Sequence, residues 1–231
     1  MQITHKAEMV TKFAEIMMSD FSKDQKTRSG LHRSDAIACP LKAYWRLTGE
    51  VQAIYDSQNV GILLIGTLAH IALHKNFDAQ EEVHDVHGIN VTIDAIFGVE
   101  SGSGGTRYPI ESKTTRKKIY SKADIPQEWL EQLGIAMGVC DTELGYLMVF
   151  NVITFSITVW EIRMNKDERQ MFLDGMVYQV GCELEAVEKR QPELLQPKRV
   201  ECHFCAYRPM GRRQGKACPW YDGEFKKKEV S

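Results

Sequence analysis

The chain has 231 residues, of which 43 % are hydrophobic and 26 % are charged, so its composition is that of a folded globular protein and excludes a disordered or fibrous chain. A formal net charge of -2 excludes a global positive field, so any attraction for a polyanion must come from local clusters of cations. The longest apolar run, residues 61–73, falls short of the ~20 residues that a membrane span needs, and the first residues do not form a secretion signal. We expect a cytoplasmic protein with no membrane partner.

The hydrophobic pattern predicts an α/β core. Helices are expected at 4–21, at 34–49 in two short pieces that meet at Cys39, at 60–77, at 126–139 with Asp124 as the cap, and at 166–189 with Asn165 as the cap. Strands are expected in the segments INVTIDAIFG, RYPIESKTT, GYLMVFNV and TFSITVWEIRM, and the glycine-rich turn at 101–105 would join the first two as a hairpin. This order predicts a mixed central sheet flanked by helices.

The composition divides the chain into three parts. Residues 1–50 form a helical N-terminal segment, residues 51–190 form the α/β core, and residues 191–231 form a C-terminal segment with few periodic apolar residues. Because that last segment holds three cysteines and four prolines, it is poorly suited to build a core of its own and needs another constraint to hold it.

Two carboxylates and a lysine stand out in the predicted hairpin. Glu111 and Lys113 share one face of their strand because side chains alternate, and Asp94 on the preceding strand can converge with Glu111. Two carboxylates held close together repel unless a cation lies between them, which favours a site for Mg²⁺ or Mn²⁺. His70 could complete such a metal shell, and Gln132 on the next helix could orient Lys113 or the attacking water.

Each of these residues also has a structural interpretation. Asp94, Glu111 and Lys113 could form a surface ion pair, His70 could be a core histidine, and Gln132 could lie on a helix surface. His70 and His74 have the spacing of a zinc pair, but Ile71 replaces the glutamate that follows the first histidine in zinc proteases.

Four of the six cysteines follow a pattern. Cys202 and Cys205 form a C-x-x-C motif, and Cys218 is followed by a proline, as is Cys39 far upstream. In a cytosolic protein such cysteines are better explained as thiolate ligands than as disulfides, and the spacing alone does not choose between zinc and an iron-sulfur cluster. Cys140 and Cys182, in helical stretches, are expected to be small buried hydrophobic residues.

The order of these motifs resembles that of the PD-(D/E)XK nucleases of the RecB-like type. The resemblance implies a restriction-endonuclease-like fold, with metal bound by His70, Asp94, Glu111 and the backbone carbonyl of Ser112, and with Lys113 assisting catalysis. Gln132 would belong to the family's Q-x-x-x-Y helix motif, although Ala136 stands where the tyrosine is expected.

The placement of one cysteine before the core and three after it resembles the iron-sulfur members of that family, in particular the CRISPR-associated Cas-four exonucleases. The resemblance implies a 4Fe-4S cluster on Cys39, Cys202, Cys205 and Cys218, which would make a small cysteine-rich subdomain from the two ends of the chain. It also implies a metal-dependent DNA exonuclease that prefers single strands or acts on duplex ends, and that trims prespacer DNA beside CRISPR integrase subunits.

Two alternatives remain open at this stage. A virus or mobile element could encode the same small nuclease for recombination or repair, and a non-catalytic nucleic-acid-binding module stabilised by zinc or iron-sulfur could carry the same cysteines. For the exonuclease itself, the basic runs, such as KTTRKK at 113–118, and the aromatic residues Tyr44, Trp45 and Trp129 are candidates for the nucleic-acid path.

Overall fold

A computed structural model describes residues 30–51, 65–66, 79–99, 106–196 and 218. The predicted helix at 4–21, most of the one at 60–77 and the turn at 101–105 lie outside the described residues. The helices are α1 (Arg33–Ile37), α2 (Pro40–Thr48), α3 (Gln127–Val139) and α4 (Lys166–Lys189), with single 3-10 turns at Lys122–Asp124 and Pro192–Leu194. The strands are β1 (Leu31–His32), β2 (Ala79–Val86), β3 (Ile89–Val99), β4 (Thr106–Thr115), β5 (Leu144–Asn151) and β6 (Ser156–Arg163).

The strands form one mixed sheet, in the order β1-β3-β4-β5-β6, with β2 paired to β3 outside this path. The β3–β4 and β5–β6 pairs are antiparallel, whereas β4 and β5 run parallel. The predicted mixed sheet with flanking helices is therefore confirmed, and so is the pairing of β3 with β4. No helix in the described ranges has the length and apolar character needed to cross a membrane.

Strand β2 pairs along one edge of β3, from Ile89 to Ile96. Strands β1 and β4 share the other edge. On the shared edge, β1 pairs with Ile89 and Asn90, while the pairing with β4 runs from Ala95 to Val99. The stretch of β3 between these two pairings, residues 91–94, faces the space between β1 and β4. We call this space the notch.

Helix α3 packs between the sheet and α4, and these contacts fix the position of its side chains relative to the sheet. Leu133 and Met137 of α3 are buried against Leu147 and Val149 of β5. On the other side, α4 approaches so closely that a Cβ atom at Gly134 would overlap the ring of Phe172. The core therefore holds α3 at a fixed distance from β4 and β5.

The helix ends test the predicted caps. Asn165 caps α4 as expected, since its side-chain oxygen accepts a hydrogen bond from the Glu168 backbone N–H at 2.9 Å. The prediction that Asp124 caps the next helix is wrong, because α3 begins only after Pro126. Asp124 instead accepts hydrogen bonds from the backbone N–H groups of Ser121 at 2.8 Å and Tyr120 at 3.0 Å, and so closes the preceding 3-10 turn.

Strand β2 was not expected from the sequence. Its segment, AQEEVHDV, has three acidic residues among eight and lacks the apolar alternation that identifies a strand. It forms because β3 offers an open edge from Ile89 to Ile96, along which the backbone of β2 can form ladder hydrogen bonds.

Candidate active site

Strands β3 and β4 separate at the notch. Their pairing ends at Ala95 and Ile110, while β4 pairs in parallel with β5 along its other edge from Ile110 to Thr115. The next residues, Asp94 and Glu111, lie where the strands part. The Asp94 carboxylate accepts a hydrogen bond from the backbone N–H of Ser112 at 2.9 Å, which holds the side chain against β4. The expected convergence of Asp94 with the Glu111 segment is therefore present.

Glu111 is only 1 % exposed and contacts two cations. Lys113 Nζ lies 2.6 Å from Glu111 Oε1, and Arg33 Nη1 lies 3.0 Å from Glu111 Oε2. Both cations also bind Gln132 of α3: Lys113 donates to its side-chain oxygen, and Arg33 donates to its backbone carbonyl at 3.0 Å. The structure thus joins the predicted residues Glu111, Lys113 and Gln132 in one network that spans β4 and α3.

The two carboxylates have opposite electrostatic surroundings. Burial, followed by the negative charge of Glu111, raises the pKa of Asp94 from 3.8 to about 7, against the opposing effects of Arg33, Lys113 and the Ser112 N–H. Burial also acts to raise the pKa of Glu111, but the charges and hydrogen bonds of Arg33 and Lys113 outweigh it and hold that pKa below its ordinary value. Near neutral pH, Glu111 is therefore ionised while Asp94 is close to its titration midpoint.

Arg33 is the member of this site that the sequence did not reveal. It is the first residue of α1, directly after β1, and the parallel pairing of β1 with β3 places this helix start beside the notch. A capping box between His32 and Asp35 fixes the turn. Arg33 is buried, yet its neighbours in the sequence are as polar as those of an exposed arginine, so no local pattern identifies it.

The donor set fits a hard divalent cation in part. The two carboxylates supply the hard oxygen atoms that Mg²⁺ or Mn²⁺ binds, and a cation beside them would relieve the repulsion that Asp94 feels from Glu111. Within the described ranges, no group of three or more His, Cys, Asp or Glu side chains is arranged to hold a metal. His70 lies outside those ranges, so Asp94 and Glu111 are the side-chain donors that the structure offers.

The described cysteines are divided between two places. Cys39 is buried at the start of α2, and Cys218 packs against the same apolar cluster, which is also contacted by Cys182. Cys202 and Cys205 lie outside the described residues. Cys140 is half-buried, and this burial raises the pKa of its thiol to about 11. The thiol is therefore neutral near pH 7, and the side chain behaves as a small hydrophobic group.

Two of the three aromatic residues proposed for a nucleic-acid path lie in the core instead. Tyr44 and Trp45 are 0 % and 4 % exposed, and their rings meet edge to face with centroids 4.7 Å apart. Trp129 packs against the cluster between α3 and β5. Burial of the large apolar surface of Tyr44 and Trp45 explains their placement and leaves neither ring available for stacking on a base, whereas Trp129 is only partly buried.

Comparisons with known proteins bear on the fold. The sequence matches no protein-family model and no curated protein. The structure is similar to that of SSO0001, with a TM-score of 0.53 at 19 % identity over 86 % of this chain and 94 % of that one. The chain therefore shares its fold with SSO0001.

Two further solved structures are weaker matches. The alkaline exonuclease LHK-Exo from Laribacter hongkongensis aligns with a TM-score of 0.40 at 13 % identity, over 71 % of this chain and 94 % of that one. LHK-Exo in complex with dAMP aligns with a TM-score of 0.38 at 13 % identity, over 71 % and 92 % of the two chains. These scores are too low to carry an inference about activity.

Proposed function

We propose that this protein is a metal-dependent nuclease of the PD-(D/E)XK type, which cleaves DNA from single-stranded or duplex ends. The observation that carries the proposal is the network at the notch, where Lys113 Nζ lies 2.6 Å from Glu111 Oε1 and Asp94 is bound to the backbone of the residue between them. A half-buried lysine beside two carboxylates suits phosphodiester hydrolysis, because a cation site and a donor to the reacting oxygen atoms both assist that reaction.

The roles of the side chains follow from their contacts. Lys113, as an ammonium group, can donate hydrogen bonds to an attacking water and to phosphate oxygen atoms, but it has no lone pair with which to accept a proton. Gln132 holds the ammonium group in place through its side-chain oxygen. Asp94, Glu111, the Ser112 carbonyl and His70 would hold Mg²⁺ or Mn²⁺. Such an ion would polarise the phosphodiester as a Lewis acid.

The iron-sulfur assignment is a separate part of the proposal. Cys39 and Cys218 come from opposite ends of the chain, and both lie at the apolar cluster around Tyr44 and Leu41. This juxtaposition is what a shared 4Fe-4S cluster with Cys202 and Cys205 would need. A cluster at this position would tie the C-terminal segment to α2. The biological setting we propose is trimming of DNA during CRISPR spacer acquisition, with integrase subunits as partners.

A digestion assay tests the activity. End-labelled single-stranded and duplex DNA, matched RNA and a circular single strand are incubated with wild type, Lys113→Ala and Asp94→Ala in Mg²⁺ or Mn²⁺. We expect the wild type to degrade linear DNA progressively from its ends and to spare the circle, with both variants inactive but still able to bind DNA. Equal activity in all three proteins would remove Asp94 and Lys113 from the catalytic assignment.

The rival function is a nucleic-acid-binding module without catalysis, and one observation favours it. Arg33 and Lys113 already offset the charge of Glu111, so the network can also be explained as a buried ion pair that joins β4 to α3. In that case the wild type would bind DNA and leave it intact in both metals, under conditions where a commercial nuclease digests the same substrates.

A further inference from the structure

A second polar site opens beside the notch on the same face of the sheet. It is a cleft of about 290 Å³ lined by the ends of β4, β5 and β6 and by the loop that follows β4. Thr115 lines it and stands two residues beyond Lys113, on the same side of β4 because side chains alternate along a strand. Two residues of strand correspond to roughly 7 Å, so the cleft continues directly from the candidate active site.

The floor of the cleft connects to the catalytic strand through cross-strand neighbours. Val149 pairs with Lys113, Thr158 pairs with Val149, and both Val149 and Thr158 line the cleft. The loop above this floor is anchored to the sheet: Asn151 Nδ2 donates to the Lys117 carbonyl at 3.0 Å, and the Lys117 N–H donates to Thr115 Oγ1 at 3.0 Å. Hydrogen bonds between the loop and the strands therefore hold the walls of the cleft in place.

The lining has the chemistry of a phosphate-binding surface with a stacking platform. Lys117 and Lys118 line the cleft, no acidic side chain accompanies them among the described residues, and neither lysine forms an ion pair within those residues. Hydroxyl groups of Thr154, Ser156 and Thr158 add donors that suit phosphate oxygen atoms.

Tyr120, at the rim, is 75 % exposed, and the Lys118 ammonium lies 5.7 Å from the centre of its ring. An exposed ring beside a cation is the arrangement on which a nucleic-acid base stacks.

We propose that this cleft binds the nucleotide next to the scissile phosphate of a single-stranded nucleic acid, with Lys117 and Lys118 on its backbone and Tyr120 against a base. This inference rests on the proposed nuclease function, because it places the cleaved bond at Lys113. An acidic peptide would use the lysines but has no aromatic base to stack on Tyr120. A folded duplex has its bases stacked on one another, so it would leave the ring unused.

The test measures binding apart from cleavage. Affinity for a fluorescent single-stranded oligonucleotide is measured by anisotropy at several salt concentrations, with every protein carrying Lys113→Ala and with EDTA present. The cleft variant is Lys117→Ala with Lys118→Ala. The matched control is Arg163→Ala with Lys166→Ala, which removes the same charge from the opposite end of the sheet, where both side chains are exposed.

We expect the cleft variant to bind more weakly, with a slope of log affinity against log salt that is shallower by about 1.4 because two phosphate contacts are lost, and the control to match the parent protein. Tyr120→Ala should weaken binding about fivefold or more, while Tyr120→Phe keeps the parent affinity because stacking does not need the hydroxyl group. Thermal unfolding of each variant checks that the fold is intact.

Several results would overturn the proposal. Equal losses in the cleft variant and the control would mean that only net charge matters, and unchanged affinity in the Tyr120→Ala protein would remove the stacking. A glutamate-rich peptide that competes as well as the oligonucleotide would assign the cleft to acidic proteins. The nuclease proposal is judged separately. A wild type that cleaves DNA while the cleft variants bind like the parent refutes the cleft alone. A protein that binds single strands through the cleft without cleaving them refutes the nuclease, and with it the scissile phosphate beside the cleft, but retains the binding by Lys117, Lys118 and Tyr120.

Discussion

Arg33 and Glu111 form a buried ion pair in which Arg33 Nη1 lies 3.0 Å from Glu111 Oε2, with side chains 10 % and 1 % exposed. Without Arg33, the carboxylate of Glu111 would remain buried with Lys113 as its nearest cation. Because Lys113 still compensates the charge of Glu111, we expect Arg33→Ala to lower the free energy of unfolding by roughly 1.5–3 kcal/mol in EDTA. The loss should shrink when Mn²⁺ is added, because a bound divalent ion replaces the missing positive charge. Urea unfolding followed by tryptophan fluorescence measures both quantities.

Arg163→Ala is the matched control for this measurement. Arg163 Nε also lies 3.0 Å from its partner, Glu161 Oε1, but the two side chains are 69 % and 50 % exposed, so solvent screens the pair. We expect this variant to unfold like the wild type in both conditions. If Arg33→Ala behaves the same way as Arg163→Ala, the buried pair does not stabilise the site.

The network around Glu111 shows which contacts of the candidate site can be predicted from the sequence. Strand alternation and the order of the elements were enough to bring Glu111 and Lys113 to one face and Gln132 within reach of it. Arg33 escaped prediction because its importance comes from the pairing of β1 with β3, a contact between segments more than 50 residues apart that leaves no periodic mark on either one. Strand β2 escaped for a related reason, since its sequence lacks apolar alternation and its pairing depends on the open edge of β3.

Gln132 positions Lys113, and this role predicts a specific kinetic change. Gln132→Ala removes the oxygen atom to which Lys113 Nζ donates, so the ammonium group loses its fixed direction. We expect kcat for DNA cleavage to fall on the order of 10²-fold while KM stays near the wild-type value, because the substrate is still bound but its reacting atoms are less well aligned. Single-turnover and steady-state assays in Mn²⁺ separate the two parameters.

Gln127→Ala on the same helix is the control, since Gln127 is exposed and contacts none of the network residues. Its kinetics should equal those of the wild type. A rise in KM alone in Gln132→Ala would instead assign Gln132 to substrate binding.

The raised pKa of Asp94 predicts how pH acts on the ion-free protein. Because burial and the charge of Glu111 raise this pKa from 3.8 to about 7, the folded protein keeps a proton that the unfolded chain has released above about pH 4. The contribution of Asp94 to stability is therefore complete below about pH 4 and is lost as pH rises to about 7. A divalent ion must displace the same proton, so metal affinity should rise through this window and level off above it.

Asp94→Asn tests this attribution, because an amide keeps an oxygen atom for the Ser112 N–H but does not titrate in this range. We expect the stability of Asp94→Asn in EDTA to vary less between pH 4 and pH 7 than that of the wild type, with weak Mn²⁺ binding throughout by calorimetry. Parallel pH profiles for the two proteins would show that another group governs the dependence.

The proposed cysteine ligands predict that the protein absorbs visible light. Protein purified without oxygen should be brown and contain iron and inorganic sulfide if Cys39, Cys202, Cys205 and Cys218 hold a 4Fe-4S cluster. Cys39→Ser and Cys218→Ser should lose most of the colour and release the C-terminal segment to proteolysis. Cys182→Ser is the control, because Cys182 contacts the same apolar cluster but is not a proposed ligand, and its spectrum should equal that of the wild type. Colourless wild-type protein with one equivalent of zinc would replace the iron-sulfur assignment with a zinc site.

Two helical glycines provide a test of how packing fixes the site. A Cβ atom at Gly134 of α3 would lie within van der Waals overlap of the Phe172 ring, 2.8 Å from Cε2, whereas one at Gly175 of α4 meets nothing within 4 Å. Alanine is the better helix former, so Gly175→Ala should stabilise the protein by up to about 1 kcal/mol. Gly134→Ala should instead destabilise it by about 1–3 kcal/mol, because α3 and α4 must separate to admit the methyl group.

The separation should also reach the candidate active site, since Gln132 is two residues from Gly134 on the same helix. We expect kcat for DNA cleavage to fall in Gly134→Ala and to stay unchanged in Gly175→Ala, with activity measured well below both melting temperatures. If Gly134→Ala is as stable and as active as Gly175→Ala, then Phe172 moves aside without shifting α3, and the close packing of the two helices does not set the position of Gln132.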